Sequence, residues 1–246
     1  MKWIPHLLAA LLGPLLAAPV IAVPLSIVSE PWPPYVFIED GTPRGVDLEV
    51  SDHLLRQLGY KPQWRMMPWK RAQHEVLNGS ADAILDIAAS PERLTQYHFP
   101  DEPLSLSETV LFYRNADPHP FNSLEDLRGL RIGLSAGYNY GNPELMQADF
   151  FSRELAPSIE ANLLMLVHGR VDMTVVNRRA GLYTLQRLNL ADQISHHPHP
   201  ISSGSVYLAF QRRPEMEDLA RRFSAALQQF KQSDDYQHLL RRYGLQ

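Results

Sequence analysis

The chain has 246 residues, 45% of them hydrophobic, a formal net charge of −4 and no cysteine. That is enough chain for one large or two small domains with packed cores, and too much apolar content for disorder. The composition excludes disulfides, a thiol nucleophile, a Cys-based zinc site and lipid attachment through an N-terminal cysteine, and no basic stripe with interleaved aromatics suggests nucleic acid.

Residues 1–6 carry one positive charge, Lys2; residues 7–17 are apolar apart from Gly13 and Pro14; a small-residue segment ends at Ala22. This is the layout of a cleavable secretory leader over 1–22, with a periplasmic location as its consequence. A membrane anchor is the competing reading, but the run is well short of the ~20 apolar residues a span needs.

Strand and helix signals then alternate, which predicts an α/β fold. Residues 25–29 read as a buried strand. Val46, Val50, Leu54 and Leu58 recur every four residues and predict a helix that stops at Gly59. Trp69, Ala72 and Val76 predict a second helix, and residues 83–85 a short strand. The pattern restarts with a strand over 130–134, a helix over 163–167, a strand over 173–176 and a helix over 181–188. Residues 206–210 read as a strand. Met216, Leu219, Phe223, Leu227 and Phe230 place a final helix with one buried face.

Two echoes suggest two lobes on one plan. Gly79-Ser80-Ala81-Asp82 returns as Gly169-Arg170-Val171-Asp172, each time between a helix and a strand. A strand followed by an aromatic loop occurs at Trp32 and Tyr35 and again at Tyr138 and Tyr140. The polar, Pro-containing stretch 115–122 suits the entry to the second lobe. Asp82 and Asp172 read as structural.

In open α/β sheets, ligands bind beyond the carboxyl ends of strands. There the sequence places Glu30, Trp32 and Tyr35; then Asp86, Ala88, Ala89 and Ser90; then Tyr138, Asn139 and Tyr140; then Asn177. Aromatics, amides and acids together suit a small polar solute held by stacking and hydrogen bonds. Each residue has a plainer alternative: Trp32 as loop packing, Tyr138 and Tyr140 as cover for the second core. Ser90 reads as an N-cap with Pro91 behind it, and Arg93 there could simply pair with a surface acid.

These residues resemble the bacterial extracellular solute-binding proteins of family 3. The resemblance rests on Pro34 and Tyr35; Gly45, Val46 and Asp47; Asn78 through Ala83; Pro91, Glu92 and Arg93 followed by Phe99 and Pro100; Leu127 through Gly133; and Gly169 through Asp172. It implies a two-lobed type II periplasmic binding protein: two open α/β sheets joined by a two-strand hinge, crossing near 111–113 and 206–208. The first lobe would comprise 23–112 plus 206–246 and the second 113–205. It further implies a monomer without cofactor that hands its solute to a membrane ABC permease or a membrane sensor.

By the same resemblance Arg93 grips a carboxylate and Trp32 stacks on the ligand. Trp69, in a run over 68–72 that resembles one branch of the family, joins the expected ligand-binding set of Trp32, Tyr35, Asp86, Arg93, Tyr138, Asn139, Tyr140 and Asn177. The family's amino acid binders carry an acid where Asn177 stands, and small hydroxyl residues where Ala88 and Ala89 stand. An amide cannot neutralise a buried ammonium, so Asp86 or Glu30 would have to supply that charge. Two further readings stay open: a periplasmic dehydratase of the cyclohexadienyl type using Glu30 or Asp86 as its acid, and metal binding by His196, His197 and His199, for which an exposed loop is the alternative.

Overall fold

The computed structural model describes residues 22–136, 138 and 140–245. The leader expected over 1–22 therefore lies outside the described residues, except for Ala22.

The first half opens with β1 (Val23–Ser29). A loop and a small hairpin, β2 (Phe37–Glu39) and β3 (Thr42–Arg44), lead into α1 (Val46–Gln57). Val46, Val50 and Leu54 are buried on α1, as their spacing predicts, and Gly59 follows at φ 89°. Next come β4 (Tyr60–Met66), α2 (Trp69–Leu77), β5 (Ala83–Ala88), α3 (Pro91–Gln96) and the short β6 (Tyr97–His98). Nothing in the sequence signals β4, because it is an edge strand, paired with β1 alone; there a proline such as Pro62 and a polar pattern are tolerated.

The long strand β7 (Ser105–Arg114) leads into the second half: a 3₁₀ turn at Leu124–Leu127, β8 (Arg131–Ser135), α4 (Pro143–Gln147), β9 (Ser152–Ala156), α5 (Ile159–Val167), β10 (Met173–Asn177), α6 (Arg178–Arg187) and β11 (Ile194–His196). A second long strand, β12 (Ser202–Gln211), leads back to the first half. There α7 (Pro214–Phe230) and α8 (Asp234–Arg242) pack beside α1.

The two halves repeat one plan. In the first, β1 lies parallel between β4 and β5, with β12 antiparallel outside β5; in the second, β8 lies parallel between β9 and β10, with β7 antiparallel outside β10. The Gly-x-x-Asp echo has one job in both. Asp82 accepts from the backbone N–H of Ser26 at 2.8 Å, and Asp172 from that of Arg131 at 2.8 Å. Each aspartate also donates its own N–H back to the carbonyl of the same residue. Each clips the following strand to its central neighbour, which is the structural role their position suggests.

Each half buries two apolar clusters, one on either face of its sheet. In the first half α1, α7 and α8 cover one face and α2 the other; in the second, the 3₁₀ turn and α4 cover one face and α5 and α6 the other. The core changes hands between Leu104 and Val110. That is earlier than a boundary at 112, because Leu111 and Phe112 already pack in second-half clusters. Five residue pairs, Ser202 with Thr109 through Val206 with Ser105, join β12 to β7. Residues 111–113, expected to form the crossing, pair with β10 instead. The two sheets are thus one continuous ten-stranded ladder, in the order β4-β1-β5-β12-β7-β10-β8-β9 with β6 and β11 at its flanks.

Candidate functional site

The loop after β1 folds back on itself: Trp32 and Val36 exchange backbone hydrogen bonds at 2.6 and 3.1 Å. The turn stacks Trp32 on Tyr35, with ring centroids 4.3 Å apart and planes at 28°. Trp32 remains half-buried while Tyr35 is fully buried. The carbonyls of Pro34 and Tyr35 then receive the first three amides of α1, those of Val46, Asp47 and Leu48. They satisfy donors that a helix start otherwise leaves free. This close approach requires Gly45, at φ 123°, where a Cβ would lie 2.2 Å from the Tyr35 carbonyl oxygen.

The end of β5 supplies the next group. Between Ile84 and Ile87, β5 places two residues opposite the single Leu208 of β12, and Asp86 there adopts φ 62°. This bulge lets Ile84 and Ile87 point to the same face although they are three positions apart. Asp86 is turned to the other side, onto Asp47 in the first turn of α1, and both are buried. Beyond β5, Ser90 caps α3 by accepting from the Arg93 N–H at 3.2 Å, with Pro91 at the first helical position. The cap fixes Arg93. Its guanidinium donates to the Ala88 carbonyl at 2.9 Å and lies 6.0 Å from the centre of the Trp69 ring, at the start of α2. Among the described residues Arg93 makes no ion pair, so the alternative of a surface acid partner finds none.

The second half contributes the remaining residues. Tyr138 is 36% exposed; its hydroxyl is pushed up to about 12 by burial first, then by the charge of Glu30 from the first half and by Tyr140. Asn139 lies outside the described residues. Tyr140 turns away from solvent into the second core, and its hydroxyl accepts from the Ser135 N–H at 2.6 Å. Asn177 is buried, and three hydrogen bonds tie it to protein groups. Its Oδ1 accepts from the Ala180 N–H at 3.0 Å, capping α6, and from the Tyr35 hydroxyl at 3.4 Å, while its Nδ2 donates to Ser107 Oγ at 3.0 Å. Phe37 meets Tyr183 with centroids 5.7 Å apart. The two halves therefore touch through Tyr35 and Asn177 and through Phe37 and Tyr183.

The structure brings Trp69 and Arg93 together on one rim and stacks Trp32 on Tyr35 beside the inter-half contact. It turns Tyr140 inward and spends all three hydrogen bonds of Asn177 on protein groups. Sequence reasoning missed Asp47, Ser105 and Ser107 as members of this polar seam; the only signal was an acid placed immediately after Gly45-Val46 at a helix start. The histidines form no cluster: among the described residues no group of three or more His, Cys, Asp or Glu side chains could hold a metal. His197 Nε2 is instead tied to the His119 carbonyl at 2.9 Å.

Two α/β lobes linked by a pair of long strands, with aromatic and charged residues at the strand ends between them, define the periplasmic binding protein fold of type II. The chain belongs to the bacterial extracellular solute-binding proteins, family 3, whose family model matches residues 25–246. It is similar to the probable amino-acid-binding protein YxeM of Bacillus subtilis (strain 168), 22% identical over 213 residues, which cover 85% of this chain and 79% of that one. It is also similar to the probable amino-acid ABC transporter periplasmic-binding protein y4tE of Sinorhizobium fredii (strain NBRC 101917 / NGR234), 24% identical and covering 83% of this chain and 71% of that one. Both relatives are named as binding proteins. Among solved structures, the crystal structure of a histidine kinase sensor domain with similarity to periplasmic binding proteins superposes with a TM-score of 0.77 at 22% identity, covering 89% of this chain and 95% of that one.

Proposed function

We propose that this protein is a periplasmic receptor that captures a small, polar, carboxylate-bearing, amino acid-like solute between its lobes and presents it to an ABC importer. The observation that carries the reading is Arg93. The residue is half-buried, its guanidinium is braced by the Ala88 carbonyl and the Trp69 ring at the solvent side, and it has no carboxylate of its own among the described residues. A planar, permanently charged fork held in this way is suited to bidentate capture of a carboxylate. Trp32 and Tyr138 supply flat apolar surface from opposite lobes, and Trp69 extends it along the rim. The names of YxeM and y4tE support an amino acid-like solute and an importer as partner.

Asn177 modifies the reading. It is neutral and already engaged, so a cationic group on the solute would take its counter-charge from the first lobe, where Glu30 faces Tyr138. Isothermal titration calorimetry against amino acids, amines, organic acids and short peptides tests the proposal. A carboxylate-bearing solute is expected to bind, and Arg93→Ala is expected to weaken it by about 2 kcal/mol or more, the range for a lost charge-assisted hydrogen bond. Unchanged affinity in Arg93→Ala would overturn the anchoring role.

A further inference from the structure

Two carboxylic side chains meet inside the first lobe, behind the aromatic loop. Asp47 is 2% exposed and Asp86 9% exposed, and the two carboxyl groups are neighbours, each within reach of the other's charge. Ionised carboxylates carry acceptors only, so two of them side by side in a buried site satisfy each other only when one carries a proton. Ser105 Oγ donates to Asp47 Oδ1 at 2.6 Å. Asp47 Oδ2 and both Asp86 oxygens are buried and meet no donor among the described residues, so an ionised Asp86 there would be a buried, unpaired charge. The contact is built rather than incidental: the bulge in β5 aims Asp86 at α1, and Gly45 brings the start of α1 against the loop.

We propose that Asp47 and Asp86 hold one proton between them at neutral pH and act as a proton-binding brace that makes the folded protein more stable on the acid side. Around them stand Tyr35 from the loop, Ser105 from β7, Arg179 from α6, Lys231 after α7 and Tyr236 from α8. Lys231 is already paired with Glu102 at 2.5 Å. A transition that disappears when either carboxyl is replaced belongs to the pair.

Burial first, then the charge of Asp47, pushes Asp86 well above the ordinary carboxylate range; burial raises Asp47 too, only partly countered by its neighbour Asp86 and by the bond from Ser105. A folded-state pKa above the unfolded one means that folding takes up a proton. The stabilisation is full below the unfolded value of about 4 and is lost as pH rises through the raised folded value. The brace also connects to the contact between lobes. Ser105 and Ser107 lie two residues apart on β7 and so on one face of the strand; the first bonds Asp47 and the second bonds Asn177.

Thermal unfolding of the full chain from about pH 4 to about pH 9, comparing wild type with Asp86→Asn and Asp47→Asn, tests this. Asparagine at 86 tolerates the left-handed backbone and donates to Asp47 in place of the shared proton. The wild-type Tm is expected to fall relative to Asp86→Asn as pH rises, by at least about 2 °C, with the gap closing at the acid end. Parallel pH curves for wild type and variant would overturn the proposal. Infrared spectroscopy of the wild-type protein at neutral pH gives a readout independent of variant folding: a protonated-carboxyl stretching band is expected, and its absence sinks the idea.

Discussion

Each of the three hydrogen bonds of Asn177 links a different part of the molecule: the cap holds α6, the bond to Ser107 holds β7, and the bond from Tyr35 holds the aromatic loop of the other lobe. Asn177→Ala removes all three. The lost cap alone is worth about 1 kcal/mol, and Tyr35, left buried with an unsatisfied hydroxyl, adds about 1 kcal/mol or more. Urea unfolding should therefore show a loss of about 2 kcal/mol, whereas Tyr35→Phe, which removes both the hydroxyl and its need for a partner, should cost less than about 1.5 kcal/mol. At this scale the sequence marks Trp32, Asp86 and Asn177 because each follows a stretch that reads as a strand, and Arg93 through the family resemblance. It does not mark Asp47, whose importance comes from a partner on another element and from a bulge that no local pattern announces. Nor does it show that Tyr140 faces the core: Tyr138 and Tyr140 share a loop, and only the bond from Ser135 separates their roles.

The elements that position the site are held by backbone-level devices. Gly45 is the tightest of these. Gly45→Ala would force a Cβ to within 2.2 Å of the Tyr35 carbonyl oxygen at a backbone φ of 123° that side chains avoid. The expected cost is at least about 2 kcal/mol, measured by thermal or urea unfolding, with weakened solute binding because the carbonyls that start α1 belong to the loop carrying Trp32. Strongly periodic helices such as α1 and α7 are legible because one face of each is buried, and β1 because it is an apolar run buried on both faces. The hairpin β2–β3, the edge strand β4 and helix α8 are not. The hairpin strands are three residues each, β4 is half-exposed, and α8 fully buries Leu239 alone among its residues, so the hydrophobic pattern is absent rather than overlooked.

Across the whole molecule, the two-lobed plan is visible in the sequence through the repeated Gly-x-x-Asp step, whose aspartates do the same work in both lobes. The continuity of the sheet is not visible. The linking stretches of β7 and β12 are half-exposed and rich in serine, and nothing in them reads as a strand. Because these five pairs bury little apolar surface, bending there costs less than anywhere in the two cores. Small-angle X-ray scattering should show a smaller radius of gyration once the solute identified by calorimetry is saturating, as binding favours the closed arrangement; an unchanged radius would argue against hinge closure.

The path of the chain also sets an order in time. Every buried member of the second lobe's clusters lies between Val110 and Ile194, one uninterrupted stretch. The first lobe, by contrast, needs β12 beside β5 and the Phe223 face of α7 against its core, and both arrive after the second lobe has been made. A chain emerging from its N-terminus therefore begins its first lobe, leaves it with one edge of β5 unpaired and apolar surface uncovered, and completes the other lobe before returning to it. The part begun first is finished last. During that interval the open edge of β5 is where the chain is most exposed to wrong partners.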